Sequence, residues 1–271
     1  MSNIKLVVLD YDGTLIGSLG VVSEKTKSTL KKVVGKGVRV SISTGRSAFS
    51  LRPLIKELKL DLPHVFLGGS LVENPLKELI LTEEPMSKSA VLETIEFCQK
   101  NTIYLEMATA RHFYKGPLNS EFRSSSAHAI EMPEEIDLTK IAMNHKLLIM
   151  RLVVEKHHSK VFFEFSQKMK DQLNFQVGVP FDFPDLEVVN VTDISVSKIS
   201  ALRHVCQYLK ISPEETMAIG DSPIDMPLIE NVGLGIAMAN AKEEVKKKAK
   251  WITADVDEDG VALALEKYIL Q

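Results

Sequence analysis

The feature that most constrains the fold is a short run of apolar residues, Leu6–Leu9, which does not alternate with polar residues and ends at Asp10. A strand with one face in water alternates, whereas a continuous apolar run is typical of a strand covered on both faces, as in a parallel sheet. Residues 38–43 and 65–67 form similar runs, and stretches with helical spacing lie between them. This order of strands and helices predicts right-handed crossovers and a parallel sheet.

Two helices are predicted between these strands. The first begins after Ser23 and ends at Gly35 or Gly37. The second carries apolar residues at helical spacing, among them Leu51 and Ile55, and it also contains Pro53. Because proline lacks an N–H, we expect Pro53 to lie in the first turn of that helix.

The last third of the sequence resumes the same order, with a helix predicted from near Ser197 and short strands at residues 217–219, 234–236 and 251–252. The middle third differs. Two helices, one of them over residues 159–173, several strands and a polar stretch near residues 124–126 predict an α+β insert there.

The predicted fold class is therefore α/β, a Rossmann-like doubly wound parallel-sheet core with an inserted α+β cap domain. The core is discontinuous and takes residues 1–84 and 187–271, and the cap takes residues 85–186.

Composition narrows the possible partners. Of the 271 residues 45% are hydrophobic and 25% are charged, which is the balance of a globular protein with a sizeable core. A net charge of −3 predicts no general attraction to nucleic acid or to a membrane surface. Cys98 and Cys206 lie in apolar helical patterns without a shared motif, so we expect reduced core thiols in a cytoplasmic protein.

The first chemical motif directly follows the first strand and contains Asp10, Asp12, Gly13 and Thr14. Two carboxylates two residues apart at a strand end repel each other unless a cation or a proton lies between them. An Asp-Gly pair alone would predict only a turn, but the second aspartate and the threonine after a buried strand favour a catalytic site.

Two further motifs offer anion-binding groups. Thr44 and Gly45 close the second strand just before a helix, an arrangement that suits a phosphate group, although the same residues often form a simple turn. Lys198 lies at the start of another helix, where a cation opposes the helix dipole. Either Lys198 is an exposed surface residue or a further interaction compensates for its position.

The last motif contains Asp221 and Asp225, after the strand at residues 217–219. Carboxylates at a strand end suit a hard cation that prefers oxygen ligands, while the alternative is a pair of residues that cap the next helix. All four motifs follow predicted strands or begin helices of the core, so they are expected at one edge of the sheet.

Together these motifs resemble those of phosphatases in the haloacid dehalogenase superfamily, specifically the Cof-type branch with a large α/β cap (subfamily IIB). The resemblance covers essentially the whole chain and includes a C-terminal pattern at residues 233–241 and 259–262. It implies that Asp10 attacks phosphorus and forms an aspartyl-phosphate, and that Asp12 acts as the general acid and base.

The resemblance also implies a Mg²⁺ ion held by Asp10, the backbone carbonyl of Asp12 and Asp221, with Asp225 as a ligand or as a partner of one. It implies further that Thr44, Gly45 and Lys198 bind the phosphate oxygens and that the cap selects a small phosphorylated metabolite, such as a sugar phosphate.

Three positions depart from the family pattern. Ile224 and Gly68 stand where the family usually has asparagine, and Ile199 stands where glycine is common. Because isoleucine lacks the side-chain amide of asparagine, the residue at position 224 cannot make a hydrogen bond near the phosphate or a neighbouring lysine. We expect an active enzyme whose rate or substrate preference is altered.

Alternative functions remain open from the sequence. A sugar phosphomutase of the same fold would use the same residues, and a catalytically weak phosphometabolite-binding protein would explain Ile224. A signalling receiver domain also places aspartates, a threonine and a lysine at strand ends, but its phosphoacceptor lies on a later strand. The sequence fixes neither the substrate nor the choice between a monomer and a homodimer.

Overall fold

The computed structural model describes residues 4–115, 134–178 and 185–271. The chain divides into two compact units. The first unit comprises Met1–Thr82 and Ser197–Gln271, and the second comprises Glu83–Val196.

Fourteen strands are present among the described residues. They are β1 Leu6–Leu9, β2 Arg39–Ile42, β3 His64–Phe66, β4 Leu71–Asn74, β5 Leu79–Glu83, β6 Tyr104–Ala108, β7 Phe113–Lys115, β8 Glu134–Glu135, β9 Ile149–Glu155, β10 Leu173–Gly178, β11 Leu186–Asp193, β12 Thr216–Gly220, β13 Leu234–Ala237 and β14 Trp251–Ile252.

The same part of the chain contains nine α-helices. They are α1 Glu24–Gly35, α2 Ala48–Glu57, α3 Lys88–Lys100, α4 Leu138–Asn144, α5 Ser159–Met169, α6 Lys198–Leu209, α7 Met226–Glu230, α8 Glu243–Lys246 and α9 Gly260–Leu265. None of the helices that the structure describes has both the length and the apolar character needed to cross a bilayer.

The first unit is built on a five-stranded parallel sheet in the order β14-β13-β12-β1-β2. Leu6 and Val8 of the interior strand β1 pack against Leu202 and Val205 of α6. All four residues of β1 are fully buried, so both faces of the sheet are covered. The predicted α/β fold with a doubly wound parallel sheet is confirmed.

The third predicted strand runs parallel to β2, but it joins the parallel sheet at one point only. β3 pairs antiparallel with β4 in a separate three-stranded sheet, and a single bridge between Ser43 and Val65 joins it to the end of β2. The physical reason is the buried ring of His64, which accepts a hydrogen bond from Ile42 N at 3.0 Å and contacts Leu60 O at 3.1 Å. The ring therefore occupies the place where β2 and β3 would exchange backbone hydrogen bonds.

The expectation for Pro53 is also wrong. Helix α2 begins at Ala48 after the cap Ser47, whose hydroxyl accepts from Ser50 N, so Pro53 lies beyond the first turn. The carbonyl of Phe49 thereby loses its usual helical donor. Because Phe49 is an exposed residue, water can satisfy that carbonyl.

The second unit contains a six-stranded sheet in the order β10-β11-β9-β6-β7-β8. Alternate residues such as Leu105, Met107 and Leu152 face a core formed with helices α3, α4 and α5. The prediction of two helices missed the short helix α4, which Asp137 caps through hydrogen bonds from the backbone N–H groups of Thr139 and Lys140.

Two further boundaries differ from the predictions. Helix α5 ends at Met169, because residue 173 already begins β10. The second unit extends past residue 186, because β11 pairs antiparallel with both β9 and β10. The polar stretch near residues 124–126 lies outside the described residues.

The opposite face of this second sheet carries a row of polar side chains. The strand registers place them directly opposite one another across five strands, in the order Lys115, Glu106, Arg151, Asn190 and Gln176. We call these five residues the polar row.

Within the polar row, Glu106 is almost fully buried and accepts a hydrogen bond from Tyr104 Oη at 2.7 Å. Arg151 lies 3.6 Å from the Glu106 carboxylate and donates to Asn190 at 3.4 Å. Beside the row, the hydroxyl of Thr192 is buried without a hydrogen-bond partner.

Candidate active site

Two neighbouring strands bring the first and last motifs together. Asp10 follows β1 and Asp221 follows β12, and these strands pair in parallel. One carboxylate oxygen from each of Asp10, Asp221 and Asp225 lies within 4.8 Å of the others. Residues far apart in the sequence therefore form one acidic cluster at the carboxyl edge of the sheet.

Lys198 supplies the positive charge of this cluster. It is 4% exposed, and its ammonium group donates hydrogen bonds to Asp10 Oδ1 and, at 2.6 Å, to Asp225 Oδ1. Burial alone would lower the pKa of Lys198, but the two carboxylates outweigh burial and raise it. The compensating interaction expected at this helix N-terminus is thus an ion pair with two aspartates.

Both carboxylate oxygens of Asp225 already accept hydrogen bonds. Its second oxygen accepts from Ser222 Oγ at 2.8 Å and from the backbone N–H groups of Ser222 at 3.1 Å and Asp221 at 3.3 Å. Ionised carboxylates offer about four lone-pair positions, so little acceptor capacity remains for a metal ion. This geometry favours Asp225 as an anchor for Lys198, and the hydroxyl of Ser222 contributes a bond that sequence reasoning missed.

Asp221 contacts the loop that follows β1. Thr14 Oγ1 donates to Asp221 Oδ1 at 3.0 Å, and burial together with the charge of Asp225 raises the pKa of Asp221 to about 6. Gly13 has a φ of 82°, and a Cβ atom there would collide with the Asp221 carboxylate. A glycine is therefore required where the two acidic loops meet.

Asp12 faces Arg46. Nε and Nη2 of Arg46 donate to the Asp12 carboxylate at 3.0 Å and 2.6 Å, and the guanidinium carbon lies 4.8 Å from the centre of the Tyr11 ring. The Asp12 side chain is 54% exposed. Arg46 had no predicted role, although its position directly after Thr44 and Gly45 was a signal that could have identified it.

Thr44 and Gly45 lie beside this pair. Thr44 is buried, its Oγ1 accepts from Arg46 N at 3.1 Å, and its carbonyl accepts from Gly68 N at 3.0 Å. Nothing lies within 4 Å of the point where a Cβ atom of Gly45 would stand, so an anion can approach its backbone closely. Gly68 adopts a φ of 70° in the turn that holds Thr44.

The charges of the cluster fit a metal ion. Three carboxylates face one ammonium group, so negative charge is in excess. Burial, the largest effect, raises the pKa of Asp10 well above its usual value, and the charges of Asp225 and Asp221 add to this effect although Lys198 opposes it. Oxygen-only ligands with uncompensated negative charge are the donor set that hard divalent cations prefer, so the cluster can bind such an ion.

Comparison with known proteins identifies the class. The sequence matches the haloacid dehalogenase-like hydrolase family over residues 7–265. It is 26% identical over 271 residues to a 5-amino-6-(5-phospho-D-ribitylamino)uracil phosphatase of Bacillus subtilis, with 99% of this chain and 97% of that protein covered. It is also 25% identical to the phosphatase YwpJ of the same organism, with 95% and 97% covered.

Solved structures agree on the fold. A haloacid dehalogenase-like hydrolase from Bacteroides thetaiotaomicron superposes with a TM-score of 0.85 at 24% identity, covering 97% of this chain and 99% of that one. The subclass IIB sugar phosphatase BT4131 superposes with a TM-score of 0.82 at 21% identity, covering 97% and 98%.

The chain thus belongs to the haloacid dehalogenase-like hydrolases. Within that superfamily it is a Cof-type phosphatase, a hydrolase that acts on phosphate esters.

Proposed function

We propose that this protein is a Mg²⁺-dependent phosphatase that removes phosphate from a small phosphorylated metabolite through an aspartyl-phosphate on Asp10. The observation that carries the proposal is the convergence of Asp10, Asp221 and Lys198 at the edge of the parallel sheet. A nucleophilic carboxylate, an excess of negative charge and a buried cation are the groups that phosphoryl transfer requires.

Asp10 attacks phosphorus, and the leaving alkoxide departs as the phosphoryl group is transferred to the carboxylate. Lys198 holds the Asp10 carboxylate in place through its hydrogen bond and adds positive charge beside the phosphoryl oxygens. Asp225 keeps the ammonium group of Lys198 fixed, which preserves this orientation during the reaction.

Asp12 protonates the leaving oxygen in the first step and activates water in the second. Arg46 donates hydrogen bonds to both carboxylate oxygens of Asp12 and can thereby control the orientation of that carboxylate. Thr44 and Gly45 bind the non-bridging oxygens of the phosphate. Thr44 does so through its hydroxyl group, and Gly45 through its backbone, which an anion can approach closely.

Asp10, the carbonyl of Asp12 and Asp221 would hold Mg²⁺, with Asp225 oriented toward Lys198. Bound at this position, the ion offsets the repulsion between the carboxylate nucleophile and the phosphate dianion. Magnesium is preferred over a softer metal because the donor set contains oxygen alone.

The second unit supplies substrate selectivity in this proposal. The polar row offers a carboxylate acceptor in Glu106, a guanidinium donor in Arg151 and an amide in Asn190, and sugar hydroxyl groups need donors and acceptors together. Two similar proteins are a 5-amino-6-(5-phospho-D-ribitylamino)uracil phosphatase and a sugar phosphatase, and these activities fit substrates that carry hydroxyl groups and a phosphate. We place the protein in the cytoplasm, and the buried free thiols of Cys98 and Cys206 support a reducing compartment. Its proposed oligomeric state is a monomer or a homodimer.

The test is turnover of an aryl phosphate and of a panel of sugar phosphates with and without Mg²⁺. Asp10→Asn should lower kcat by at least about 10³-fold, because the amide is a poor nucleophile. Asp61→Asn, a change at an exposed aspartate of the same unit, is the matched control. If the wild-type protein released no phosphate from any ester with Mg²⁺ present, the proposal would be wrong. Analysis of the organic product would separate hydrolysis from a mutase reaction, which retains the phosphate.

A further inference from the structure

A short segment after β13, residues 238–242, connects the two acidic loops of the first unit. Met238 N donates to Gly220 O at 3.0 Å and Lys242 N donates to Asp221 O at 3.4 Å, so the segment is fixed at both ends, to the last residue of β12 and to the loop that carries Asp221. Between these ends, the side chain of Asn240 reaches the loop that carries Asp10 and Asp12.

The Asn240 amide makes two hydrogen bonds with distinct directions. Nδ2 donates to Gly13 O at 2.8 Å, and Oδ1 accepts from Val256 N at 3.1 Å. A backbone N–H can only donate, so the atom that faces Val256 must be the oxygen, and the amino group therefore faces Gly13. The orientation of this amide is fixed by its partners.

The peptide that Asn240 holds lies at the point where the two acidic loops meet. Gly13 packs so closely against the Asp221 carboxylate that no Cβ atom fits there, and the next residue, Thr14, donates to Asp221 Oδ1. A rotation of the Gly13 peptide would move Thr14 away from Asp221 and would also change the position of Asp12, the preceding residue.

We propose that Asn240 is a positioning residue that sets the spacing between the loop of Asp10 and Asp12 and the loop of Asp221. Its side-chain hydrogen bonds join Gly13 O and Val256 N, so it acts on the site through the carbonyl of Gly13. This inference rests on the proposed function, because it concerns the same site.

The experiment separates the two hydrogen bonds of Asn240. Asn240→Asp keeps an oxygen for Val256 N but places a second oxygen against Gly13 O, and Asn240→Ala removes both bonds. Asn231→Ala is the matched control, since Asn231 Nδ2 also donates to a backbone carbonyl, that of Pro227, at 2.8 Å in the same unit.

We expect Asn240→Asp and Asn240→Ala each to lower kcat about threefold to tenfold with little change in KM, which is the range for loss of one hydrogen bond that orients a site. Calorimetric titration with Mg²⁺ alone should show weaker binding by a similar factor. Asn231→Ala should leave both quantities unchanged, and the thermal midpoints of all variants should stay close to that of the wild type, because Asn240 is exposed.

Wild-type kcat and Mg²⁺ affinity in Asn240→Asp would overturn the inference, because the bond to Gly13 would then have no functional effect. A loss in Asn240→Ala alone would also overturn it and would assign Asn240 a structural role at Val256. Failure of the wild-type enzyme to hydrolyse any phosphate ester is a separate result. It would reject the proposed function, while the Mg²⁺ titration would still report on the spacing of the loops.

Discussion

The two sheets of this molecule place their polar side chains in different locations. The parallel sheet of the first unit is covered on both faces, and the carboxylates of its candidate site lie beyond the strand ends, at Asp10 and Asp221. The second sheet, which is mostly antiparallel, packs one face against helices and carries the polar row on the other. Parallel strands bring loop residues together at one edge, whereas neighbouring antiparallel strands present a surface, so reaction chemistry suits the first and recognition suits the second.

The largest expected effect concerns the buried cation of the first unit. Lys198→Met leaves Asp10 and Asp225 without a counter-charge, and removing one partner of a buried ion pair costs about 3–5 kcal/mol. The free energy of unfolding from urea titrations measures this loss, and activity should disappear as well. Lys168→Met, which removes an exposed ion pair with Glu93 in the second unit, should change the stability by less than about 1 kcal/mol. Equal effects of the two changes would contradict the contrast between the units.

A second prediction concerns the imidazole ring of His64, which lies between β2 and β3. Burial lowers the pKa of His64 to about 4, although its hydrogen bond to Leu60 O opposes the shift. The unfolded chain therefore binds a proton near pH 6.5 while the folded chain does not, so stability is fully present above that pH and is lost as the pH falls toward 4. From this histidine alone we expect a loss of about 1.6 kcal/mol between pH 6.5 and pH 5.

The matched variants for this pH dependence are His64→Gln and His157→Gln. Glutamine can keep an acceptor and a donor in the ring's place but does not titrate, so the dependence of unfolding free energy on pH should become flatter. His157 is an exposed residue of the second unit, and its replacement should leave the dependence unchanged. A His64→Gln protein with the wild-type slope would show that other groups control the acid sensitivity.

A third prediction tests whether the geometry at the strand ends matters beyond charge. Arg46→Lys keeps the positive charge but loses the two-pronged contact with Asp12, and we expect kcat to fall about tenfold. Steady-state kinetics with one substrate measure the effect. Arg52→Lys, at an exposed arginine that pairs with Glu78, should behave like the wild type. If kcat were unchanged in Arg46→Lys, Asp12 would need only a neighbouring positive charge and not the two-pronged hydrogen bond.

The smallest expected effect concerns the polar row. Glu106→Gln should raise KM for hydroxyl-bearing phosphates about threefold to tenfold, since a charged acceptor is lost, and should leave kcat/KM for an aryl phosphate unchanged. Glu93→Gln, on the helical side of the same unit, is the control. If both substrates were affected equally, the row would have a structural role and the proposed division between the sheets would be wrong.

Much of the first unit could be predicted because each of its central strands is a continuous apolar run followed directly by a polar motif. Asp10 and Asp221 therefore had to end adjacent or nearby parallel strands. The contact of Arg46 with Asp12 and the hydrogen bonds that Asp225 accepts depend on the directions of side chains, which the spacing of residues in the sequence does not encode. The insertion of the His64 ring, likewise, depends on the shape of the gap between two strands.

The second unit was harder to predict from the sequence. Helix α4 has seven residues, too few for a clear helical period. The polar row depends on the register between strands that lie far apart along the chain, so Glu106 and Asn190 gave no joint signal. Predictions of elements were therefore more accurate than predictions of contacts.

The ion pair between Lys198 and Asp10 joins residues that are 188 positions apart in the chain. Between them in the sequence lies the whole second unit, which can complete its own core while the first unit still lacks β12 and α6. During synthesis from the N-terminus, Asp10, the proposed nucleophile, is therefore made early and remains without the cation of Lys198 until the second unit has been translated. Catalytic competence should arise late in translation, after the second unit, to which we assign substrate selection, has folded.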